Sequence, residues 1–169
     1  PSDPDQWFQS YGGIMEQFAV LAESRGVEMM SVGLELARLT RSAHTALWRS
    51  LIARLRRVFS GKLTYCSLGM PYTRRIEFWD AVDFVGMDVY VPLMGSVTSE
   101  VPTLDQMSEI HGKYFKDVDE WKASLQEPVK SMPVVITETG IPCSIFGLVH
   151  PELISETCEG RMSPNATLQ

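Results

Sequence analysis

Short apolar runs alternate with helix-period stretches along most of this chain, and that alternation limits its fold more than any other property. The runs fall at residues 27–33, 62–67, 82–89 and 133–137. Each is the length of a buried strand. Ahead of the first, Ser2-Asp3-Pro4 reads as a helix start, with a capping side chain and a proline where a missing N–H does no harm. Trp7, Phe8, Tyr11, Ile14, Met15, Phe18, Leu21 and Ala22 then recur at helical spacing as far as Gly26. A second helix is predicted over 42–59, with Trp48, Leu51, Ile52 and Leu55 on its apolar side and Gly61 as a left-handed stop. Residues 70–80 read as a loop with a short helical turn, and Pro102-Thr103 opens a long polar helix to Leu125, interrupted at Gly112. Strands alternating with helices describe βα units around a parallel sheet, and crossovers of one hand place the strands side by side in chain order. After Gly140 the pattern fades, leaving 1–140 as the βα part and 141–169 as an irregular tail with one weak helix candidate at 151–158.

At 169 residues and 44% apolar composition the chain can form one domain. A net charge of -6 argues against a nucleic-acid partner. The densest basic stretch, Arg54 to Arg57, lies in a helix pattern and reads as a solvated face. No run approaches the ~18 apolar residues of a membrane span, so the chain is expected to be soluble. The three cysteines, Cys66, Cys143 and Cys158, lack CxxC spacing and nearby histidines, which argues against zinc. A Cys143-Cys158 bridge is one pairing open to them. Asn165-Ala166-Thr167 is a glycosylation sequon in a polar tail, a triplet that often arises by chance; the compartment stays open, with secretion one option. Starting at Pro1 without a signal peptide or initiator Met, the chain reads as processed or as a piece of a longer one.

Two of the apolar runs end in glutamates. Glu35 follows Met29-Met30-Ser31-Val32-Gly33-Leu34, and Glu138 follows Pro133-Val134-Val135-Ile136-Thr137. In a β/α barrel the active site lies at the C-terminal ends of the strands. Glycoside hydrolysis with retention needs one acid for the leaving oxygen and one carboxylate for the anomeric carbon, about 5 Å apart. On that geometry Glu35 is the acid/base and Glu138 the nucleophile; the alternative for each is a helix cap or a surface charge. Tyr90, in Gly86-Met87-Asp88-Val89-Tyr90-Val91-Pro92-Leu93, ends the intervening strand and can donate its hydroxyl to the nucleophile, or else serve as a packing residue. Asp88 can do similar orienting work, and Tyr65 carries the same two alternatives as Tyr90. Asp80 and Asp83 read as caps or turns into the strand.

The segments Gly33-Leu34-Glu35-Leu36, Trp48-Arg49, Gly61-Lys62-Leu63-Thr64-Tyr65, Phe78-Trp79-Asp80-Ala81-Val82-Asp83-Phe84-Val85, Gly86 to Leu93, Pro102-Thr103-Leu104 and Ile136-Thr137-Glu138-Thr139-Gly140 together resemble glycoside hydrolase family 113. The resemblance runs in order through residues 7–140, and 78–93 is its most specific part. It implies a clan A barrel that cleaves β-1,4-mannan or mannooligosaccharides with retention and needs no metal or other cofactor. It places Glu35 at the acid/base position on strand four, Glu138 at the nucleophile position on strand seven and Tyr90 at the active-site tyrosine after strand six. Tyr65 and Asp88 complete the candidates for substrate binding.

Three departures accompany the resemblance. Leu34 stands where clan members usually have a polar residue, often Asn, before the acid/base. Tyr65-Cys66-Ser67 leads to Leu68-Gly69 where family members tend to have Asn-Trp. A complete barrel takes about 250 residues and eight strands, and this chain supplies material for strands four to seven. The expected fold is therefore α/β, a partial (β/α) TIM-barrel-like arrangement of about four parallel strands with flanking helices. Its open edges invite a partner chain or a second copy. Two functions stay open: a mannanase-type glycosidase acting on an oligosaccharide or polysaccharide, and a catalytically inactive half-barrel serving as a structural or carbohydrate-binding subunit of a larger assembly. A fragment or alternative product of a longer gene is a third option.

Overall fold

A computed structural model of the chain describes residues 3–96, 100–141 and 145–151. The chain divides into two compact units, Pro1–Asp88 with Ser124–Thr137, and Val89–Ala123 with Glu138–Gln169.

The first unit opens with helix α1 (Pro4–Ser24), where the Asp3 side chain accepts from the Gln6 N–H at 3.0 Å and Pro4 occupies the first turn. Gly26, at φ 65°, lets the chain leave the helix. Strands β1 (Met29–Leu34), β2 (Lys62–Leu68), β3 (Phe84–Val89) and β4 (Val134–Thr139) form one parallel sheet in chain order. Met29 lies opposite Lys62 and Thr64 opposite Phe84, while the Val85 N–H donates to the Pro133 carbonyl at 3.0 Å. This is the four-stranded parallel α/β arrangement expected from the alternation of apolar runs and helices.

Helix α2 (Thr45–Leu55) follows a 3-10 turn at Ser42–His44 and turns Trp48, Leu51, Ile52 and Leu55 inward. Trp48 is the hub of the core. Its ring stacks on Phe78 at 5.1 Å and meets Phe8 and Tyr65 edge-on at 5.1 and 5.2 Å. Its indole N–H, which burial would otherwise leave without water, donates to the Leu39 carbonyl at 2.9 Å. The short helix α3 (Gly69–Thr73) and a 3-10 turn at Trp79–Ala81 connect β2 to β3.

Three sequence expectations need correction. Helix α2 stops at Leu55, well before Gly61, and the chain tightens into turns in which the Arg57 N–H donates to the Arg54 carbonyl at 3.2 Å and the Val58 N–H to the Leu55 carbonyl at 3.0 Å. Gly61 is small for a steric reason instead: a Cβ there would strike the Phe59 ring and lie 2.9 Å from the Glu28 carbonyl oxygen. The 54–57 basic stretch is also not simply a solvated face, since Arg54 pairs with Glu16 at 2.8 Å and Arg56 pairs with Asp83.

The third concerns the second unit, where helix α4 (Leu104–Ala123) runs through Gly112 without interruption. A reciprocal cap starts it. The Thr103 N–H donates to Gln106 Oε1 at 2.8 Å, and the Gln106 N–H donates to Thr103 Oγ1 at 3.3 Å. Val118 and Trp121 are its buried side chains. A 3-10 turn at Ile145–Leu148 presents the Leu148 carbonyl to the N–H groups of Leu93 and Met94 at 2.7 and 3.0 Å. Apart from Pro151 the helix candidate at 151–158 lies outside the described residues, as do Cys143, Cys158 and the Asn165 sequon. No helix among the described residues is long and apolar enough to cross a membrane.

Candidate active site

In the first unit β1 ends at Leu34, and Glu35 takes φ 48°, in the left-handed region that L residues avoid. Neighbouring groups hold it there. The Glu35 N–H donates to the Cys66 carbonyl at 2.9 Å, the Leu36 N–H donates to Tyr65 Oη at 2.7 Å, and the Ala37 N–H donates back to the Glu35 carbonyl at 2.8 Å. The turn aims an exposed glutamate outward at a strand end.

Tyr65 is the support of this turn. It is 1% exposed and packs edge-on against Trp48 and Phe78. Gly33 makes the packing feasible, because a Cβ there would come within 2.8 Å of Trp48 and 2.9 Å of Tyr65. Burial pushes the Tyr65 phenol well above its ordinary range, against the opposing effect of the Leu36 N–H bond. The candidate for substrate binding thus has its hydroxyl engaged with the loop that carries Glu35.

Asp88, at 1% exposure near the end of β3, accepts from the Thr137 hydroxyl at 2.6 Å. A carboxylate oxygen of Asp88 and one of Glu35 lie within 4.8 Å, close enough for both to accept from one hydroxyl or water. Leu34, beside Glu35, is 50% exposed. Cys66 is buried and its thiol donates to Ser31 Oγ at 3.2 Å.

In the second unit Tyr90 donates its hydroxyl to Glu138 Oε2 at 2.9 Å. Glu138 lies within β4, one residue before its end, where the sequence suggested a position just past the strand. A strand residue is the more rigidly held of the two. A phenol donating to a carboxylate is a charge-assisted bond that fixes the carboxylate's rotation while leaving it a nucleophile or base.

The structure therefore joins Tyr90 to Glu138 in one unit, and gathers Glu35, Tyr65 and Asp88 in the other. Two contributions escaped the sequence: the left-handed backbone at Glu35, and the Thr137 hydroxyl on Asp88. For Thr137 a signal existed, since strand alternation sends it to the side opposite Glu138.

The family model for Glycoside Hydrolase Family 113 matches residues 2–152. A GH113 β-1,4-mannanase structure superposes with a TM-score of 0.71 at 22% identity, covering 89% of this chain and 41% of its own. A complex of a GH113 β-1,4-mannanase gives 0.63 at 24% identity, covering 89% and 41%. The GH113 β-mannanase AaManA from Alicyclobacillus acidocaldarius, solved in complex with ManMIm, gives 0.58 at 29% identity, covering 83% and 37%. The chain spans about two fifths of the length of these structures. No curated protein matches it.

Proposed function

The chain belongs to glycoside hydrolase family 113, and from that premise we propose that it acts as a retaining glycosidase on β-1,4-mannan or mannooligosaccharides, with Glu138 as nucleophile and Glu35 as acid/base. In the first step a Glu138 carboxylate oxygen attacks the anomeric carbon while the Glu35 carboxyl gives its proton to the departing glycosidic oxygen. In the second, the Glu35 carboxylate takes a proton from water, and the water oxygen displaces Glu138 from the sugar. Anomeric configuration is restored by the two inversions.

The observation that carries this reading is the 2.9 Å bond from Tyr90 to Glu138, which holds a strand-end carboxylate in one orientation. The strained backbone of Glu35 supports it, because strain of this kind concentrates at functional positions. Asp88 and its Thr137 partner serve to orient groups near Glu35, and Tyr65 acts through the Leu36 amide as a positioning residue.

The test is hydrolysis of mannooligosaccharides by this chain and by Glu138→Gln. Release of shorter sugars by the first and none by the second is expected; equal rates, or no release by either, count against the proposal. Tyr90→Phe should lower kcat about ten- to a hundredfold, the equivalent of one hydrogen bond to a charged group.

A second reading is favoured by one observation, the two-fifths span of the chain against its structural neighbours. In it the chain is a carbohydrate-binding or structural subunit of a larger assembly. Binding of mannooligosaccharides without hydrolysis, unchanged by Glu138→Gln, would select it.

A further inference from the structure

The loop after β1 and the residues around α3, all in the first unit, enclose a cavity of about 490 Å³. Its lining includes Arg38, Arg41 and Arg75 with Thr40, Ser42 and Tyr72. Thr40 is buried and its hydroxyl donates to the Ala37 carbonyl at 3.3 Å, while the neighbouring Leu39 carbonyl accepts from the Trp48 indole. The loop is thus fastened to the core rather than free to collapse.

These three arginines share one cavity, and among the described residues no acidic side chain pairs with them there. Arg49 pairs with Asp80 at 2.7 Å, Arg54 pairs with Glu16 at 2.8 Å, and Arg56 pairs with Asp83. Among the described residues Arg38, Arg41 and Arg75 form no ion pair, although the chain as a whole carries a net charge of -6. The nearby carboxylate of Glu77 accepts from the hydroxyl of Ser42, a lining residue, at 2.8 Å and from that of Thr45 at 3.2 Å. Three guanidinium groups against one carboxylate leave the cavity positive.

We propose that this cavity is a subsite for an oxyanion carried on a sugar, so that the chain prefers glycans bearing an acidic group over neutral ones. The proposal deepens the carbohydrate reading above and rests on it. The cavity starts two residues after Glu35, on the loops that follow parallel strands, so a glycan reaching Glu35 can present a neighbouring unit to it. A guanidinium fork matches a carboxylate, sulfate or phosphate ester in two parallel bonds. Tyr72, half-buried with the Arg75 guanidinium 5.9 Å from its ring centre, adds a surface on which a sugar ring can pack. The chain's negative charge disfavours a polyanion and leaves a single acidic group on an otherwise neutral glycan as the fitting ligand.

The test is calorimetric titration of this chain with three oligosaccharides of equal length: a neutral mannooligosaccharide, one bearing a glucuronic acid unit, and one bearing a sulfate ester. At least one acidic sugar should bind about tenfold tighter than the neutral one, a difference of about 1.4 kcal/mol. The two acidic arms tell carboxylate from sulfate. Its advantage should shrink between about 20 mM and about 500 mM salt. Replacing Arg38, Arg41 and Arg75 together by Gln should abolish the preference, Arg41→Gln alone should reduce it, and Arg49→Gln should leave it intact. All three arginines are exposed, so folding of the triple variant, checked by circular dichroism, should be unaffected. Equal affinity for acidic and neutral sugars, absence of binding by both acidic sugars, or a preference that survives the triple change would overturn the proposal. Glu138→Gln keeps the preference while losing hydrolysis, so the two proposals fail separately.

Discussion

At Glu35 the backbone is held against its own preference. An L residue at φ 48° sacrifices about 1 kcal/mol relative to a relaxed conformation. The three hydrogen bonds around the turn, to Cys66, from Leu36 to Tyr65 and from Ala37, fix it there. Glu35→Gly should therefore raise the unfolding free energy by about 0.5–1 kcal/mol in urea titration, while Glu35→Ala, which retains the Cβ, should give no such gain. A midpoint for Glu35→Gly equal to that of Glu35→Ala would remove strain from the account. In the glycosidase reading both variants lose the acid/base, so stability and activity move in opposite directions for the glycine. The sequence showed a glutamate at a strand end but not this conformation, because it is set by Tyr65 and Cys66, about thirty positions further along the chain.

Between elements, Asp83 ties β2, the end of α2 and the start of β3 together. Its carboxylate accepts from the Leu63 N–H at 2.8 Å and from Lys62 at 3.3 Å, and it pairs with Arg56. Burial alone would raise its pKa, but the Leu63 N–H and the Arg56 guanidinium outweigh burial and hold it below the usual carboxylate value. A depressed folded pKa contributes stability above the unfolded value of about 3.9, and that contribution is lost as pH falls through the folded value. Asp83→Asn should therefore lower stability at pH 7 by about 1–2 kcal/mol, and the gap to the native chain should close below about pH 4. Urea midpoints across that range check it; a gap independent of pH would mean that the charge is not its source. The strands and helices themselves were legible, since strands of a parallel sheet are rich in apolar residues and α2 needs its apolar stripe. Their ends were less so. Where α2 stops depends on the turn of 56–59 and its ion pairs, and Gly112 is tolerated because a cap and a long helix outweigh a local penalty of about 1 kcal/mol. Tyr90 just past β3 and Glu138 near the end of β4 could be read from their positions as a donor and an acceptor, with packing as the alternative for Tyr90, whereas the engagement of Tyr65 with Leu36 depends on packing that no local pattern encodes.

At the scale of the molecule, the dominant fact is apolar surface on the first unit. Ile14, Phe18 and Leu21 of α1 are 54%, 57% and 51% exposed, and Val27 and Met29 at the start of β1 are 42% and 41% exposed. Phe18, Leu21, Val27, Met15 and Met30 line a groove of about 460 Å³ beside β1, which has β2 as its neighbour in the sheet. Single exposed apolar residues are ordinary, but a contiguous set beside an edge strand drives association. The chain should therefore self-associate, its weight-average mass in sedimentation velocity rising with concentration. Phe18→Lys combined with Leu21→Lys should shift it toward monomer. Removing a buried Phe or Leu side chain from an interface forfeits about 1.5–3 kcal/mol, so the dissociation constant should rise by more than tenfold. Because both side chains are already half exposed in the isolated chain, the far-ultraviolet circular dichroism of the variant should match the native spectrum. A native chain that stays monomeric at every concentration, or a variant that associates as strongly, would show that this face does not drive assembly.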